Sequence, residues 1–302
     1  MAKRAHAPSV IDETAAWELI LQARRVCPGA RVQRELTASG NPAPRLRVHC
    51  SGAWESDASV TDEAALMLDL YIPLCVSTGR AMVVAQMGQS VDGRIATASG
   101  HSHYITGSQD ILHLHRLRAL CDAVVIGAGT AIADNPRLTV RHANGRSPVR
   151  VLIDPRLRVG PDRHLFQDAA AHTLVLFDAR SAHLAPARRE AVEWLPVTIE
   201  EGGVPPQAVL ACLAERGLHR VLVEGGGQTV SRFLQAGVLD RLHVTVAPLI
   251  IGSGRLGLTL PQVATLDEAL RPACRRFHMG EDVLFDFGLR QAAGHPADWR
   301  SE

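Results

Sequence analysis

The sequence predicts an α/β protein: a mostly parallel central sheet flanked by helices, with an antiparallel edge at its C-terminal end. Three observations predict it. From Ala81 onward, apolar runs of strand length alternate with stretches of helical spacing. Two of those runs, 123–126 and 221–223, stop at glycine loops and hand over to helical sequence, as buried parallel strands do. The last two runs, 241–247 and 283–287, have no strong helix between them and read as an antiparallel pair.

The first 78 residues differ in character and read as a small α+β accessory region joined near Ser77-Thr78-Gly79. Asp12-Glu13-Thr14 opens a helix that runs to Val26 and stops at Pro28-Gly29. Residues 38–44 are loop-like, and 45–50 alternate like an edge strand. Thr61-Asp62-Glu63 caps a second helix that ends before Pro73. The main domain follows over 79–292, with a tail at 293–302. Its strands are expected at 82–86, 123–126, 149–153, 173–177, 220–223, 241–247 and 283–287. Helices are expected at 108–121, 184–192, 206–216 and 228–236. The helix at 108–121 is the best defined. Thr106 and Gln109 match a capping box, and Ile111, Leu114, Leu117 and Cys121 fall on one face with Arg118 beside them.

Composition narrows the function. The chain has 302 residues, and Lys+Arg 32 against Asp+Glu 31 leaves a net charge of +1, so no global field draws it to nucleic acid or to an acidic membrane. Its longest apolar stretch, 244–251, is broken by Thr245 and Pro248 and is too short for a bilayer. Basic Lys3 and Arg4 are followed by no apolar core, so no secretory signal is expected. The six cysteines form no C-x-x-C pair, which fits a reducing, cytoplasmic compartment without a zinc site. The pairs His101-x-His103 and His113-x-His115 are read as polar histidines at a cleft rim: residues two apart on a helix cannot chelate together, which disposes of the second pair, and the first would need a third ligand. No metal is expected.

The glycine loops are the most informative chemistry. Gly127-Ala128-Gly129-Thr130 and Glu224-Gly225-Gly226-Gly227 each place backbone N–H groups and a positive helix end after a buried strand, an arrangement that suits phosphate. Taken singly, either loop is equally a tight connection, and neither fits G-x-G-x-x-G. Asp92-Gly93 reads as a hairpin-type turn, and Asp134-Asn135-Pro136, followed by a short strand at 138–140, as a hairpin or loop. Arg118 on its own reads as a solvated helix residue, Asp92 as a turn former and Glu224 as a loop cap.

Taken in order, Ser-x-Asp-Gly-Arg-Ile-Ala (90–96), Ile-Thr-Gly (105–107), Leu-Arg-Ala (117–119), Gly-x-Gly-Thr (127–130), Asp-x-Pro-x-Leu-Thr-Val-Arg (134–141) and Val-Glu-Gly-Gly-Gly (223–227) cover about two-thirds of the chain. This series resembles the reductase domain of the bifunctional riboflavin-biosynthesis deaminase/reductase. The resemblance implies a dihydrofolate-reductase-like three-layer sandwich and an NADPH-dependent reduction of a 5-amino-6-(5-phosphoribosylamino)uracil-type pyrimidine to its ribitylamino product. It implies a substrate site at Ser102, Arg118, Leu138, Arg141 and Glu224, with Glu224 and Asp92 as catalytic candidates. It implies an NADPH site at Gly88, Tyr104, Gly127, Gly129, Thr130, Asp134, Gly225, Gly226, Gly227, Gln228 and Thr229. Two arginine forks, Arg118 and Arg141, suit the substrate's phosphate. Homodimers are implied as well, and the late strands 241–247 and 283–287, with the apolar 249–251, could expose the edge that pairs with another copy.

The chain departs from the family pattern at three positions. Gln86 stands where a lysine is common, Tyr104 where a tryptophan is, and Pro155 where a hydroxyl residue grips the cofactor's 2′-phosphate. Arg156 or Arg158 could take over that last task. The deaminase's His-x-Glu and Pro-Cys-x-x-Cys pattern is missing from residues 1–78. A same-fold reductase of a pterin or of a secondary-metabolite intermediate stays open, as does a non-catalytic nucleotide-binding protein.

Overall fold

The computed structural model describes residues 10–26, 33–40, 43–76, 81–184, 191–201 and 203–289. The chain divides into two compact units, Met1–Met82 and Val83–Glu302. The expected junction at 77–79, the stop at Pro28-Gly29 and the tail at 293–302 lie outside the described residues.

In the first unit, β1 (Val10–Ile11) leads into α1 (Glu13–Val26), and β2 (Arg34–Thr37), β3 (Arg45–Val48) and β4 (Trp54–Ser56) form a three-stranded sheet. Then β5 (Ser59–Val60), paired with β1, leads into α2 (Asp62–Cys75). The helix starts are built as their sequences ask. The Ala15 N–H donates to the Asp12 carboxylate at 2.8 Å, and the Ala64 N–H donates to the Thr61 hydroxyl at 3.2 Å. The two helices pack together, with Trp17 edge-on to Tyr71 at 5.7 Å. Two expectations need correction. The alternating strand lies between β2 and β4, not at an edge: its arginines face solvent while both of its backbone edges are bonded. Helix α2 also runs past Pro73 to Cys75, because buried Leu70, Tyr71, Ile72 and Leu74 hold its last turn despite the missing N–H.

The second unit is the α/β sheet. In chain order it contains β6 (Met82–Ser90), β7 (Arg94–Thr97), α3 (Ser108–Leu120), β8 (Ala123–Gly127), α4 (Ala128–Asp134), β9 (Val149–Ile153), α5 (His164–Gln167), β10 (Thr173–Asp178) and β11 (Val192–Val197). It continues with α6 (Pro206–Ala214), β12 (Arg220–Glu224), α7 (Gly227–Gln235), β13 (Arg241–Ala247), β14 (Gly254–Leu256), β15 (Ala273–Met279) and β16 (Asp282–Gly288). Nine strands form one sheet in the order β11-β10-β9-β8-β12-β6-β13-β16-β15. The pairs from β11 to β12 are parallel, as is β6 with β13, while β13–β16 and β16–β15 are antiparallel. This is the expected fold class, antiparallel edge included.

All seven expected strands form. The two outermost, β11 and β15, were not expected, because each carries charge or proline where an interior strand carries apolar residues. Pro196 is tolerated in β11 as an edge strand, and β15 exposes most of its length. Most of the helix expected at 184–192 lies outside the described residues; Leu184 closes a 3-10 turn and Val192 opens β11. The capping box on α3 does not form either. Gly107 is the N-cap, and its N–H donates to the Asp282 carboxylate at 2.7 Å. The Thr106 hydroxyl is drawn instead to the Asp110 carboxyl. Among the described residues no helix is long and apolar enough to cross a membrane.

Candidate active site

Strands β8 and β12 are neighbours in parallel register, Val125 opposite Val223, so their glycine loops emerge side by side. The loops are tied together where the Gly226 N–H donates to the Thr130 hydroxyl oxygen at 2.9 Å. The Thr130 O–H proton is left for another acceptor. Gly225 has φ +101°, which an L side chain rarely adopts, and a Cβ there would lie 2.7 Å from the Thr130 oxygen. Gly227 is required for another reason: the Gly257 carbonyl passes against its Cα and leaves no room for a Cβ. Gly129, by contrast, faces open space.

That space is a cleft of about 1380 Å³ running across the strand ends. A single small ligand takes several hundred to about 1,000 Å³, so this cleft has room for more than one. Both glycine loops, Glu224, Gln86, Gly88 and Asp110 line it.

Glu224 ends β12 and is buried, with 5 % of its surface exposed. Arg118, on the last turn of α3, grips it with two bonds of 2.7 Å, from Nε to Oε1 and from Nη2 to Oε2. Arg118 Nη1 donates in addition to the Thr139 carbonyl at 3.2 Å. The guanidinium is thus neither solvated nor a free phosphate fork; most of its donors hold Glu224 and the wall around Thr139. Arg141, at the surface and not in the cleft lining, donates to the Thr139 hydroxyl at 3.0 Å. Burial first, and then the nearby positive charges of Arg118 and Arg137, push the Arg141 pKa down. Three guanidinium groups crowded together would be relieved by an anion.

The middle of α3 lies over β6 and β13. Gln86 is opposite His243 and Gly88 opposite Thr245, so these residues share the face that α3 covers. There the Thr245 hydroxyl donates to Asp110 Oδ1 at 2.6 Å, and the Gln86 amide reaches both carboxyl oxygens at 3.3 and 3.4 Å. One turn on, His113 Nε2 meets His243 Nδ1 at 3.1 Å. His243 in turn lies 3.2 Å from Asp286, which Arg241 and Arg275 also hold. The α3 histidines are therefore buried groups rather than rim residues. Burial, with His243 beside it, takes the His113 pKa well down. Burial with Arg118 and Arg141 takes His115 to about 3. The expected apolar face is rearranged accordingly: Leu117 is buried, while Ile111 and Leu114 line the cleft.

The other sequence candidates are placed as follows. Ser102 and Asp134 both line the cleft and meet there, hydroxyl to carboxylate at 3.1 Å. Gly88 lies under Thr106, against which a Cβ would clash at 2.7 Å. Tyr104 is 91 % exposed at the cleft mouth with φ 63°, and Leu138 is buried in the wall with φ 56°. Gly127, Gln228 and Thr229 line the cleft as well. Asp92 is not brought there. Its carboxylate accepts the Ser90 hydroxyl and the N–H groups of Ile251 and Gly252, bonds that hold its pKa near 2, and it ties the 249–252 loop to the β6–β7 turn. Sequence reasoning missed Asp110 and Thr245. An acidic residue in the first turn of a helix already has a reason to be there, and nothing local links it to a threonine 135 residues away. Among the described residues no group of His, Cys, Asp and Glu could hold a metal ion.

Residues 81–276 match the family model described as the RibD C-terminal domain. The chain is similar to the 2,5-diamino-6-ribosylamino-4(3H)-pyrimidinone 5′-phosphate reductase of Methanothermobacter thermautotrophicus, 32 % identical over 70 % of this chain and 99 % of that protein. It is also similar to the riboflavin biosynthesis protein RibD of Aquifex aeolicus, 29 % identical over 82 % of this chain and 68 % of that one. Among solved structures it resembles a diaminohydroxyphosphoribosylaminopyrimidine deaminase/5-amino-6-(5-phosphoribosylamino)uracil reductase from Thermotoga maritima. That likeness has a TM-score of 0.61 at 25 % identity and covers 76 % of this chain and 64 % of that one. Acinetobacter baumannii RibD gives 0.60 at 28 % identity, covering 78 % and 66 %. The chain therefore spans just under two-thirds of the length of these two structures.

Proposed function

Since the chain belongs to the RibD C-terminal domain family, we propose that it is an NADPH-dependent reductase that opens the ribose of a 5-amino-6-(5-phosphoribosylamino)uracil-type pyrimidine to a ribityl chain. The observation that carries this reading is the Glu224–Arg118 pair buried in a cleft beside two joined glycine loops. A dinucleotide fits the residues present. Gly129 leaves open space, the Thr130 O–H is available to a phosphate oxygen, and α7 begins at Gly227 with its positive end toward the cleft loops. Bound there, the reduced nicotinamide would supply the hydride. Arg156, Arg158 and Arg180 line the far end of the cleft, where Pro155 offers no hydroxyl, and suit a 2′-phosphate. That favours NADPH over NADH.

Glu224 accepts N–H or O–H groups of the substrate, with Arg118 fixing its two oxygens. The crowded Arg118, Arg137 and Arg141 draw in the substrate's phosphate. Ser102 and Leu138 complete the substrate wall. In the same reading the protein is a cytoplasmic homodimer without nucleic-acid or membrane partners, in contact through the exposed Leu249 and Ile250. Residues 1–78 are its accessory region.

NADPH consumption, followed by absorbance, tests the substrate. The 5′-phosphorylated aminouracil or its diaminopyrimidinone analogue should be reduced, and Arg141→Ala should raise KM about tenfold for the phosphorylated compound alone. Turnover restricted to a pterin or to a dephosphorylated substrate would overturn the reading.

A further inference from the structure

Opening a ribosylamine needs an acid. As the C1′–oxygen bond breaks, its electron pair goes to the ring oxygen, which leaves as a strongly basic alkoxide unless a proton meets it. Glu224 is unsuited, since a carboxylate taking two N–H bonds from a guanidinium is an acceptor rather than a donor. Five carboxyl groups line the cleft: Asp110, Asp134, Asp178, Glu200 and Glu224. Asp178 is paired with Arg180, and Asp134 and Glu200 are exposed. Asp110 alone among these is both buried, at 3 % exposure, and hydrogen-bonded only to neutral groups.

We propose that Asp110 is the proton donor of the reduction, delivering its proton to the ribose ring oxygen from its place in the cleft wall beside Gly88. The assignment rests on the pyrimidine-reductase reading above. Asp110 lines the cleft beside Gly88, its Oδ2 3.5 Å from where a Cβ on Gly88 would sit, with the Thr106 side chain packed against the same point. The groups facing it are the hydroxyls of Thr245 from β13 and of Thr106, the amide of Gln86 from β6, and the carboxylate of Asp282 from β16. None is a cation. Burial comes first, and with the Asp282 charge it raises the Asp110 pKa against the lowering by Thr245, Thr106 and Gln86. Gln86 matters here for what it lacks: a lysine in its place would pair with Asp110 and strip its proton.

The step balances. The C1′–oxygen bond breaks with its electrons on oxygen, and the Asp110 proton moves to that oxygen. The nitrogen lone pair closes a C1′=N bond, and the hydride supplied by the dihydronicotinamide reduces C1′. Asp110 is left ionised until solvent returns the proton.

Two measurements test this. In protein labelled with 13C-aspartate, the carboxyl signal that disappears in Asp110→Asn should titrate above the ordinary carboxylate range, and Gln86→Lys should draw its midpoint down. The kcat of the unaltered enzyme should fall with rising pH along the same midpoint. Asp110→Asn should lower kcat about a hundredfold, erase that limb and leave NADPH affinity unchanged. An Asp110 signal titrating in the ordinary range, or an Asp110→Asn enzyme with the full rate and the same pH limb, overturns the assignment while leaving the substrate reading intact. Failure of the unaltered enzyme to turn over either pyrimidine overturns both.

Discussion

Glu224 and Arg118 form one buried pair that holds the cleft wall and, in the proposed function, faces the substrate. Removing a charge from water is costly, and a pair this deep is tolerated because two short bonds and the Thr139 carbonyl satisfy it. Arg118→Ala should therefore cost about 3–5 kcal/mol in urea denaturation, since it leaves Glu224 buried and uncompensated. Glu224→Gln keeps the shape and should lower kcat/KM about tenfold to a hundredfold with NADPH affinity intact. An unchanged kcat/KM would remove Glu224 from the site. Strain collects around the same cleft. Among the described residues, the four non-glycine residues with positive φ are Tyr104, Asn135, Leu138 and Leu157. Each lines the cleft or is next in sequence to a residue that does.

At the scale of elements, α3 is unusual in burying Asp110, His113, His115 and Arg118 alongside Leu117, Ala119 and Leu120. That seating links stability to pH. His113 and His115 have folded pKa values below the unfolded value of about 6.5, so the unfolded chain binds more protons as pH falls through that value. Their contribution is present above about pH 6.5 and lost below it. Asp110, raised, acts with the opposite sign: its protonated form favours the fold, and that contribution is lost as pH rises above the unfolded value of about 4. Between about pH 6 and 5 the two histidines outweigh the one aspartate, and urea denaturation should show stability falling by about 1–2 kcal/mol. A flat profile there would contradict neutral, buried imidazoles.

For the whole molecule, what the sequence made legible follows from where each strand lies. Interior parallel strands such as β8 and β12 are covered on both faces and read as unbroken apolar runs. The edge strands β11 and β15 carry Pro196, Arg275 and Arg276 and lose that signal. The glycine junctions were legible because backbone geometry there depends on residues adjacent in sequence. The bonds Arg118–Glu224 and Thr245–Asp110 were not, since 106 and 135 residues separate the partners and only the sheet order brings them together.

In the proposed function a reduced nicotinamide sits in this cleft against the ribosyl C1′ of a phosphorylated pyrimidine. NADPH deuterated at the transferable C4 position tests it most directly. The ribitylamino product should carry a single deuterium at C1′ in its mass spectrum, whereas a product free of deuterium, or deuterium at any other carbon, would contradict the account.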